Sequence, residues 1–317
     1  MLENALIQAF ILVASLVAIA SASHFVISSI EKLIEITGLS EASAGFIILA
    51  VLTSTPEITI AVFSILQGTP AISIGDALGS NVFNLGIVLG VLAVFGFLKA
   101  CCSDLLVELT DILFVTALIP LLLVINQYNV LNIPSPIIGL VLLGVFFANT
   151  FLIARRRTPA VQLGGRAKVD TRKKVTIVAT LLVSFTVVIV AARLTVYSAS
   201  NIAASFGASP IFIGAKIVAI GTSLPEFTLD LTAVRRGRVQ LALGDIVGSN
   251  LTNLTLVLGL VLLTSPFAVN MTVFTEILPF LLMTTVVFWR FIMRGGVTRV
   301  GGVLLILTYV LFQAIVI

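Results

Sequence analysis

Glu57 and Glu226 are carboxylates set in otherwise apolar sequence, as are Asp76 and Asp245, and each pair is 169 positions apart. Their neighbours repeat at the same offset. Ser54-Thr55-Pro56-Glu57 is answered by Ser223-Leu224-Pro225-Glu226, and the run from Gly75 to Asn84 by the run from Gly244 to Asn253. Gly38 and Gly45 extend the match to Gly207 and Gly214. An ionised carboxylate held away from water is costly unless a counter-charge meets it. No basic residue adjoins any of the four in sequence, so a bound cation is the simplest counter-charge. Thr53 and Ser54 precede Glu57 on its helical face, and Thr222 and Ser223 precede Glu226 in the same way. Pro56 and Pro225 have no N–H to offer the carbonyls of Leu52 and Gly221. A carbonyl freed in this way can turn to an ion where it lines a cavity. Each centre thus offers carboxylate, hydroxyl and carbonyl oxygens. These are hard ligands suited to Ca²⁺ or Na⁺, with no thiolate or imidazole cluster for zinc or copper. Beyond Asp76 and Asp245 come Gly79-Ser80-Asn81 and Gly248-Ser249-Asn250, whose glycines permit close backbone approach. Asn84 and Asn253 add amide oxygens one turn further on. Ser80, Asn81, Ser249 and Asn250 serve equally well as helix-packing glue. Ser73 stands one turn before Asp76, whereas the second copy has Ala242 there and lacks a hydroxyl that could help hold Na⁺.

Such residues need elements that carry them into an apolar medium. The 317-residue chain is 59% hydrophobic and 10% charged, where a soluble domain carries about 25% charge. Its apolar blocks of about twenty residues suit a hydrocarbon core. The expected fold is an all-α polytopic membrane protein of ten transmembrane helices, not a β-barrel. The expected spans are about 4–27, 42–66, 71–97, 105–125, 134–154, 173–197, 210–234, 239–263, 268–290 and 297–317. Glu57 and Glu226 fall near the centres of the second and seventh spans, Asp76 and Asp245 within the first turns of the third and eighth. Five spans separate each residue from its partner, and an odd number reverses direction through the bilayer. The halves, 1–154 and 173–317, are therefore two inverted-topology five-helix repeats joined by a basic linker, 155–172. Inverted repeats with interrupted helices near the midplane mark secondary transporters.

Charge sets the orientation. In the ten-span arrangement 16 of the 18 Lys and Arg fall on one side, while the loops 67–70, 126–133 and 264–267 carry none. Positive charge marks the cytoplasmic side, so the linker is expected inside and both termini outside a cell membrane. The same bias explains the linker without nucleic acid, and anionic lipid headgroups are its natural partners. No cleavable signal peptide is read, since no basic segment precedes the first apolar run. The adjacent Cys101 and Cys102 make no disulfide framework.

At these motifs the chain resembles the cation/calcium antiporter superfamily, and the sodium/calcium exchangers of prokaryotic or archaeal type in particular. The family motifs are G-T-S-x-P-E and G-[N/D]-x-x-G-S-N. The second copy matches both, at Gly221-Thr222-Ser223-Leu224-Pro225-Glu226 and at Gly244-Asp245 with Gly248-Ser249-Asn250. The first copy departs at Leu52, where the family has glycine. The resemblance covers essentially the whole chain. It implies ten helices, alternating access, Ca²⁺ at Glu57 and Glu226, and Na⁺ at overlapping sites that include Thr53, Ser54, Thr222 and Ser223. It also implies a mobile gate made of the first and sixth spans. The acidic-histidine pair of proton-coupled calcium exchangers is absent, and Asn253 stands where potassium-dependent exchangers carry Asp. Asp76 occupies a position where many sodium/calcium exchangers have Asn. Two close carboxylates can share a proton, which keeps an H⁺-coupled carrier open beside the Na⁺-coupled one.

The reading is of a carrier without a cofactor and not of an enzyme: no Ser/Lys pair, histidine-rich zinc motif or Gly-Asp proteolytic pair stands out. A passive cation channel is the alternative from another class. The oligomeric state is left open, and a monomer satisfies the sequence. Lys216 reads as a lysine snorkelling to headgroups or as an electrostatic gate, and Arg193 has the same two readings. Asp230 reads as lining a vestibule or pairing with Arg235 or nearby bases. His24, the single histidine, reads as outward-facing or hydrogen-bonded, with proton sensing as the functional alternative. Glu108, Asp111 and Glu276 are expected at helix ends or in packing networks.

Overall fold

The computed structural model describes residues 2–66, 70–98, 103–127, 133–155, 171–205, 219–264 and 271–315, all helices and their connections with no strand among them. Helix is the form that satisfies every backbone N–H and C=O within one apolar segment. The first half holds α1 (Leu2–Thr37), α2 (Glu41–Ala44), α3 (Ala50–Thr53), α4 (Thr55–Leu66), α5 (Pro70–Phe83), α6 (Leu89–Val94), α7 (Asp104–Leu118), α8 (Pro120–Gln127) and α9 (Ser135–Arg155). The second holds α10 (Thr171–Ser205), α11 (Ala219–Thr222), α12 (Leu224–Arg235), α13 (Val239–Thr252), α14 (Leu258–Thr264), α15 (Met271–Ile292) and α16 (Arg299–Ile315). Single π-helical turns at Gly45–Leu49, Asn84–Val88 and Asn253–Val257 run into their neighbouring helices.

The sequence offset governs the elements. Shifted by 169, α3, α4, α5 and the π-turn Asn84–Val88 become α11, α12, α13 and Asn253–Val257, with both ends of each in register. Six helices among the described residues are long and apolar enough to cross a membrane. The pair Glu41–Thr53 and Thr55–Leu66, bent by 44°, makes a seventh when read as one span. The expected span 210–234 begins outside the described residues, and α16 is a shorter apolar helix.

Burial separates an interior from a periphery. In an 18-residue apolar window, 78% of the residues of Ser73–Val94 and 83% of those of Val239–Thr264 are buried, against 33% in the corresponding windows of the long helices α1 and α10. Those two pack along one another, tied by a buried Ser15–Thr195 hydroxyl contact of 2.8 Å. Their outer faces show Phe10, Val13, Val17, Val183 and Val190.

The segment from α2 to α3 lies hard against α13. A Cβ on Gly45 would land on the Leu241 carbonyl oxygen and 2.8 Å from the Asp245 nitrogen. Gly248 stands likewise 2.6 Å, measured from a notional Cβ, from the Ala50 Cβ. Gly79, expected to do the same in the first copy, has open space beside it, so close approach belongs to the second copy's glycine. Lys99, Cys101, Cys102, Gly207, Gly214, Lys216 and linker residues 156–170 lie outside the described residues.

Candidate ion-binding site

Two matched helix breaks build the site. α3 ends at Thr53, Ser54 takes φ −76° and ψ 4°, and α4 restarts at Thr55. In the second copy Ser223 takes φ −93° and ψ 8° before α12 starts at Leu224. The cause is local: Pro56 and Pro225 cannot donate a backbone hydrogen bond, and proline fits the first turn of a new helix, where none is needed. Glu57 and Glu226 therefore stand in the first turns of α4 and α12, where helix dipoles favour negative charge. They are 0% and 1% exposed. Asp76 and Asp245 stand in the second turns of α5 and α13, not the first, because those helices begin as early as Pro70 and Val239. Asp245 is fully buried, and Asp76 partly.

The carboxylates lie within electrostatic reach of one another. Glu57 feels Asp76 and Asp245; Glu226 feels Glu57, Asp245 and Asp76. The hydroxyls cross between the copies. Thr53 Oγ1 donates to Asp245 Oδ1 at 3.1 Å, rather than serving Glu57 on its own side of the break. Ser80 Oγ donates to Glu57 Oε1 at 3.2 Å and accepts from Ser223 Oγ at 3.3 Å. The matched asparagines meet directly: Asn81 Nδ2 donates to the Asn250 carbonyl at 3.1 Å. Asn253 Nδ2 donates to Asn81 Oδ1, also at 3.1 Å. Ser249 Oγ and Asn250 Nδ2 donate to the carbonyls of Asp245 and Ile246 in their own helix. Asn81, Ser249 and the Asn250 amide nitrogen are thus packing glue, whereas Ser80 touches a carboxylate.

Many buried oxygens here lack a hydrogen-bond partner among the described residues. They are Glu57 Oε2, both oxygens of Glu226, Asp245 Oδ2, the hydroxyls of Ser54 and Ser73, and the side-chain oxygens of Asn84, Asn250 and Asn253. Buried polar atoms are normally paired, so a concentration of unmet acceptors is what a desolvated cation would need. Among the described residues no three acidic side chains alone form a metal cluster. Hydroxyl, amide and carbonyl oxygens must complete any shell. Thr222 closes α11, but its side chain lies outside the described set.

Asp230 is the functional candidate that sequence reasoning left aside. It is fully buried, close enough to Asp245 for a hydrogen bond, and within reach of Glu226. The expected bases do not come to it: Arg235 is exposed, and its neighbours are engaged elsewhere. Arg236 binds Glu31 at 3.0 Å and a His24 ring nitrogen at 2.7 Å, and Arg238 binds Glu31 at 3.0 Å and Glu41 at 2.7 Å. The hydrogen bonds to Glu31 and Glu41 hold the Arg238 guanidinium above its ordinary pKa, so it stays charged. His24 is hydrogen-bonded, as expected. Asp111 accepts from Trp289 Nε1 at 2.7 Å in a packing contact, while Glu108, Glu276 and Arg193 are exposed.

Helices broken at proline, matched across an internal repeat and carrying buried carboxylates define an ion-carrier scaffold. The sequence profile described as "Sodium/calcium exchanger protein" matches residues 7–154 and 176–317. The chain belongs to that family, whose members are antiporters, and it is a multi-pass membrane protein. The putative antiporter CaxA of Alkalimonas amylolytica is 29% identical over 316 residues, covering 96% of both chains. The sodium/calcium exchanger MaX1 of Methanosarcina acetivorans is 26% identical over 341 residues, covering 96% of this chain and 97% of its own. The inner membrane protein YrbG of Escherichia coli is 28% identical over 313 residues, covering 95% and 93%. Among solved structures, the sodium-calcium exchanger NCX_Mj soaked with 10 mM Na⁺ and zero Ca²⁺ superposes with a TM-score of 0.83 at 23% identity. That match covers 99% of this chain and 100% of the other, and shows the same fold.

Proposed function

We propose that this protein is a secondary antiporter that exports Ca²⁺ in exchange for inward Na⁺. Its ten spans would form two inverted five-helix repeats, residues 1–154 and 173–317, with linker 155–172 cytoplasmic and both termini outside. The observation that carries the reading is the pair of buried carboxylates at matched helix breaks. Glu57 and Glu226 lie within electrostatic reach of each other, and Glu57 Oε2 and both Glu226 oxygens lack a hydrogen-bond partner among the described residues. Their two charges match one Ca²⁺. Ser54, Ser73, Asn84 and Asn253 would offer neutral oxygens to Na⁺ once Ca²⁺ has left, with Thr53, Ser80 and Ser223 nearby. Exchange then follows from competition: the same carboxylates cannot neutralise both ions, so Na⁺ entering from one side displaces Ca²⁺ towards the other. Membership of the exchanger family supports this assignment, as does the likeness to the exchanger MaX1.

The test is ⁴⁵Ca²⁺ uptake into proteoliposomes loaded with Na⁺ at fixed pH, repeated with a proton gradient and no Na⁺. Uptake driven by the Na⁺ gradient alone is expected. Alanine at Glu57 or Glu226 should abolish it while leaving a protein that elutes and melts as the parent does. Flux that neither saturates nor needs a counter-ion would instead describe a channel. Asp76, the foremost electrostatic neighbour of Glu57, favours a second reading in which H⁺ replaces Na⁺. In that case the proton gradient alone drives uptake, and Asp76→Asn removes its pH dependence.

A further inference from the structure

The basic end of the seam between α1 and α10 holds a pocket of about 370 Å³, and no residue of the carboxylate centre lines it. Ser29 and Lys32 line it from α1, and Lys173, Thr176, Ile177 and Thr180 from α10. The α10 residues fall at i, i+3, i+4 and i+7, so that helix turns a single stripe to the pocket. Ser29 is 2% exposed, whereas both lysines are exposed. Among the described residues neither lysine has a carboxylate partner, and Glu31, beside Lys32 in sequence, is taken by Arg236 and Arg238. Arg172, Lys173 and Lys174 follow one another in the first turn of α10, which holds no acidic residue. That is the positive end of a helix dipole, where cations are unfavourable and an anion is favoured. The repeat does not require this polarity. At the offset of 169, Lys32 corresponds to Asn201, Lys173 to Asn4, and Thr176 and Thr180 to Ile7 and Ile11.

Depth and shape identify the occupant. The apolar span of α10 begins at Lys173, so the pocket opens where hydrocarbon gives way to headgroups. Further along the same stripe the threonines give way to Val183 and Val187, 65% and 41% exposed. One turn deeper than Ser29 on α1 stands Phe25, 56% exposed. A ligand on this seam meets two ammonium groups, then hydroxyls, then an apolar surface directed at the acyl region. A free phosphate ion has no use for the last of these, whereas a phospholipid matches all three. We propose that the pocket binds the phosphate headgroup of an anionic phospholipid, whose acyl chains lie along Phe25, Val183 and Val187. Lys32 and Lys173 neutralise the phosphate through charge-assisted hydrogen bonds. Thr180 donates to the Thr176 carbonyl at 2.8 Å, which leaves Ser29 as the hydroxyl to complete the headgroup's shell. This is a defined site on two helices, distinct from the general attraction of the linker to anionic headgroups. A lipid held there ties the ends of α1 and α10 to one leaflet.

The experiment is native mass spectrometry of the purified full-length protein, titrated in detergent with phosphatidylglycerol or with phosphatidylcholine of the same acyl chains. The parent is expected to retain one phosphatidylglycerol in preference to phosphatidylcholine. Lys173→Gln should weaken that first binding step about fivefold, and Lys32→Gln together with Lys173→Gln roughly tenfold or more. Lys174→Gln makes the same charge change one residue away, outside the pocket, and should leave the step unaltered. Equal retention of the two lipids by the parent overturns the site, as does a double variant that keeps the preference. An equal loss in Lys173→Gln and Lys174→Gln also overturns it and assigns the effect to the overall charge of that end. Displacement of bound phosphatidylglycerol by equimolar inorganic phosphate overturns the lipid in favour of a free anion. Gel filtration and thermal melting of each variant confirm that a folded protein is being measured. Binding is read without transport, so a failure of the antiporter reading in the ⁴⁵Ca²⁺ assay leaves this result standing.

Discussion

Ser80 is the hydroxyl through which the two helix breaks communicate. It donates to Glu57 and accepts from Ser223, so one side chain holds a carboxylate of the first copy against the break of the second. A hydrogen bond to a charged group contributes about 1.5–3 kcal/mol. Ser80→Ala should therefore raise the Ca²⁺ concentration for half-maximal exchange roughly tenfold or more, measured in the Na⁺-driven ⁴⁵Ca²⁺ assay. An unchanged value would reduce Ser80 to packing. Thr53 shows where residue-level reading of the sequence stops. Helical spacing puts it on the face of Glu57, but the break at Ser54 bends the segment by 44° and its hydroxyl reaches Asp245 instead. Thr53→Val leaves Asp245 without that donor and should cost about 1–3 kcal/mol of stability, read as a lower melting temperature, whereas Thr53→Ser should restore it. The site carboxylates themselves were legible because charge in apolar sequence is conspicuous. Asp230 was not, because periodicity gives the face of a helix and not the neighbour that covers it.

At the scale of elements, the breaks are useful only if the broken helix stays seated on α13. Gly45 provides that seat: the α2–α3 segment meets the backbone of Leu241 and Asp245 with no room for a side chain. Gly45→Ala should destabilise the detergent-purified protein by about 1–3 kcal/mol, the usual cost of overpacking, and shift its thermal transition down. Gly79→Ala is the internal control. It points into open space inside α5, so the gain in helix propensity, about 0.5–1 kcal/mol, should leave stability equal or higher. Equal loss in both variants would place the effect in the helices themselves rather than in their contact. The sequence displayed glycines in both copies and so implied close approach in both. It could not say which of them meets a backbone, since that depends on the helix opposite. The π-turns beginning at Asn84 and Asn253 were also hidden, because they follow no local signature. Their agreement at the 169-residue offset became visible only once the elements were laid side by side.

For the whole molecule, the division into interior and periphery was already present in hydropathy. The two most buried stretches have a mean hydropathy of 1.9 each, whereas the peripheral α1 and α10 reach 2.3 and 2.6. Helices facing lipid on one side need apolar side chains there, while the central helices can hold Ser, Asn and Asp against one another. The result is a polar core flanked by a greasy pair. Among the described residues, Glu31 on α1 ties that pair to the core, gripped by Arg236 and Arg238 of the loop between α12 and α13 at 3.0 Å each. If α1 and α10 slide over the core during transport, as the family resemblance implies, these ion pairs must break in every cycle. Being partly exposed, each contributes about 0.2–1 kcal/mol. Glu31→Gln should then raise the maximal exchange rate by about two- to tenfold and leave the half-saturating Ca²⁺ concentration unchanged, because no site carboxylate depends on it. High salt should mimic the variant in the parent protein and have little effect in the variant itself, since screening acts on the same pairs. A shift in half-saturation at constant maximal rate would mean that Glu31 acts on the ion site, and the latch between the sliding pair and the core would have to be sought elsewhere.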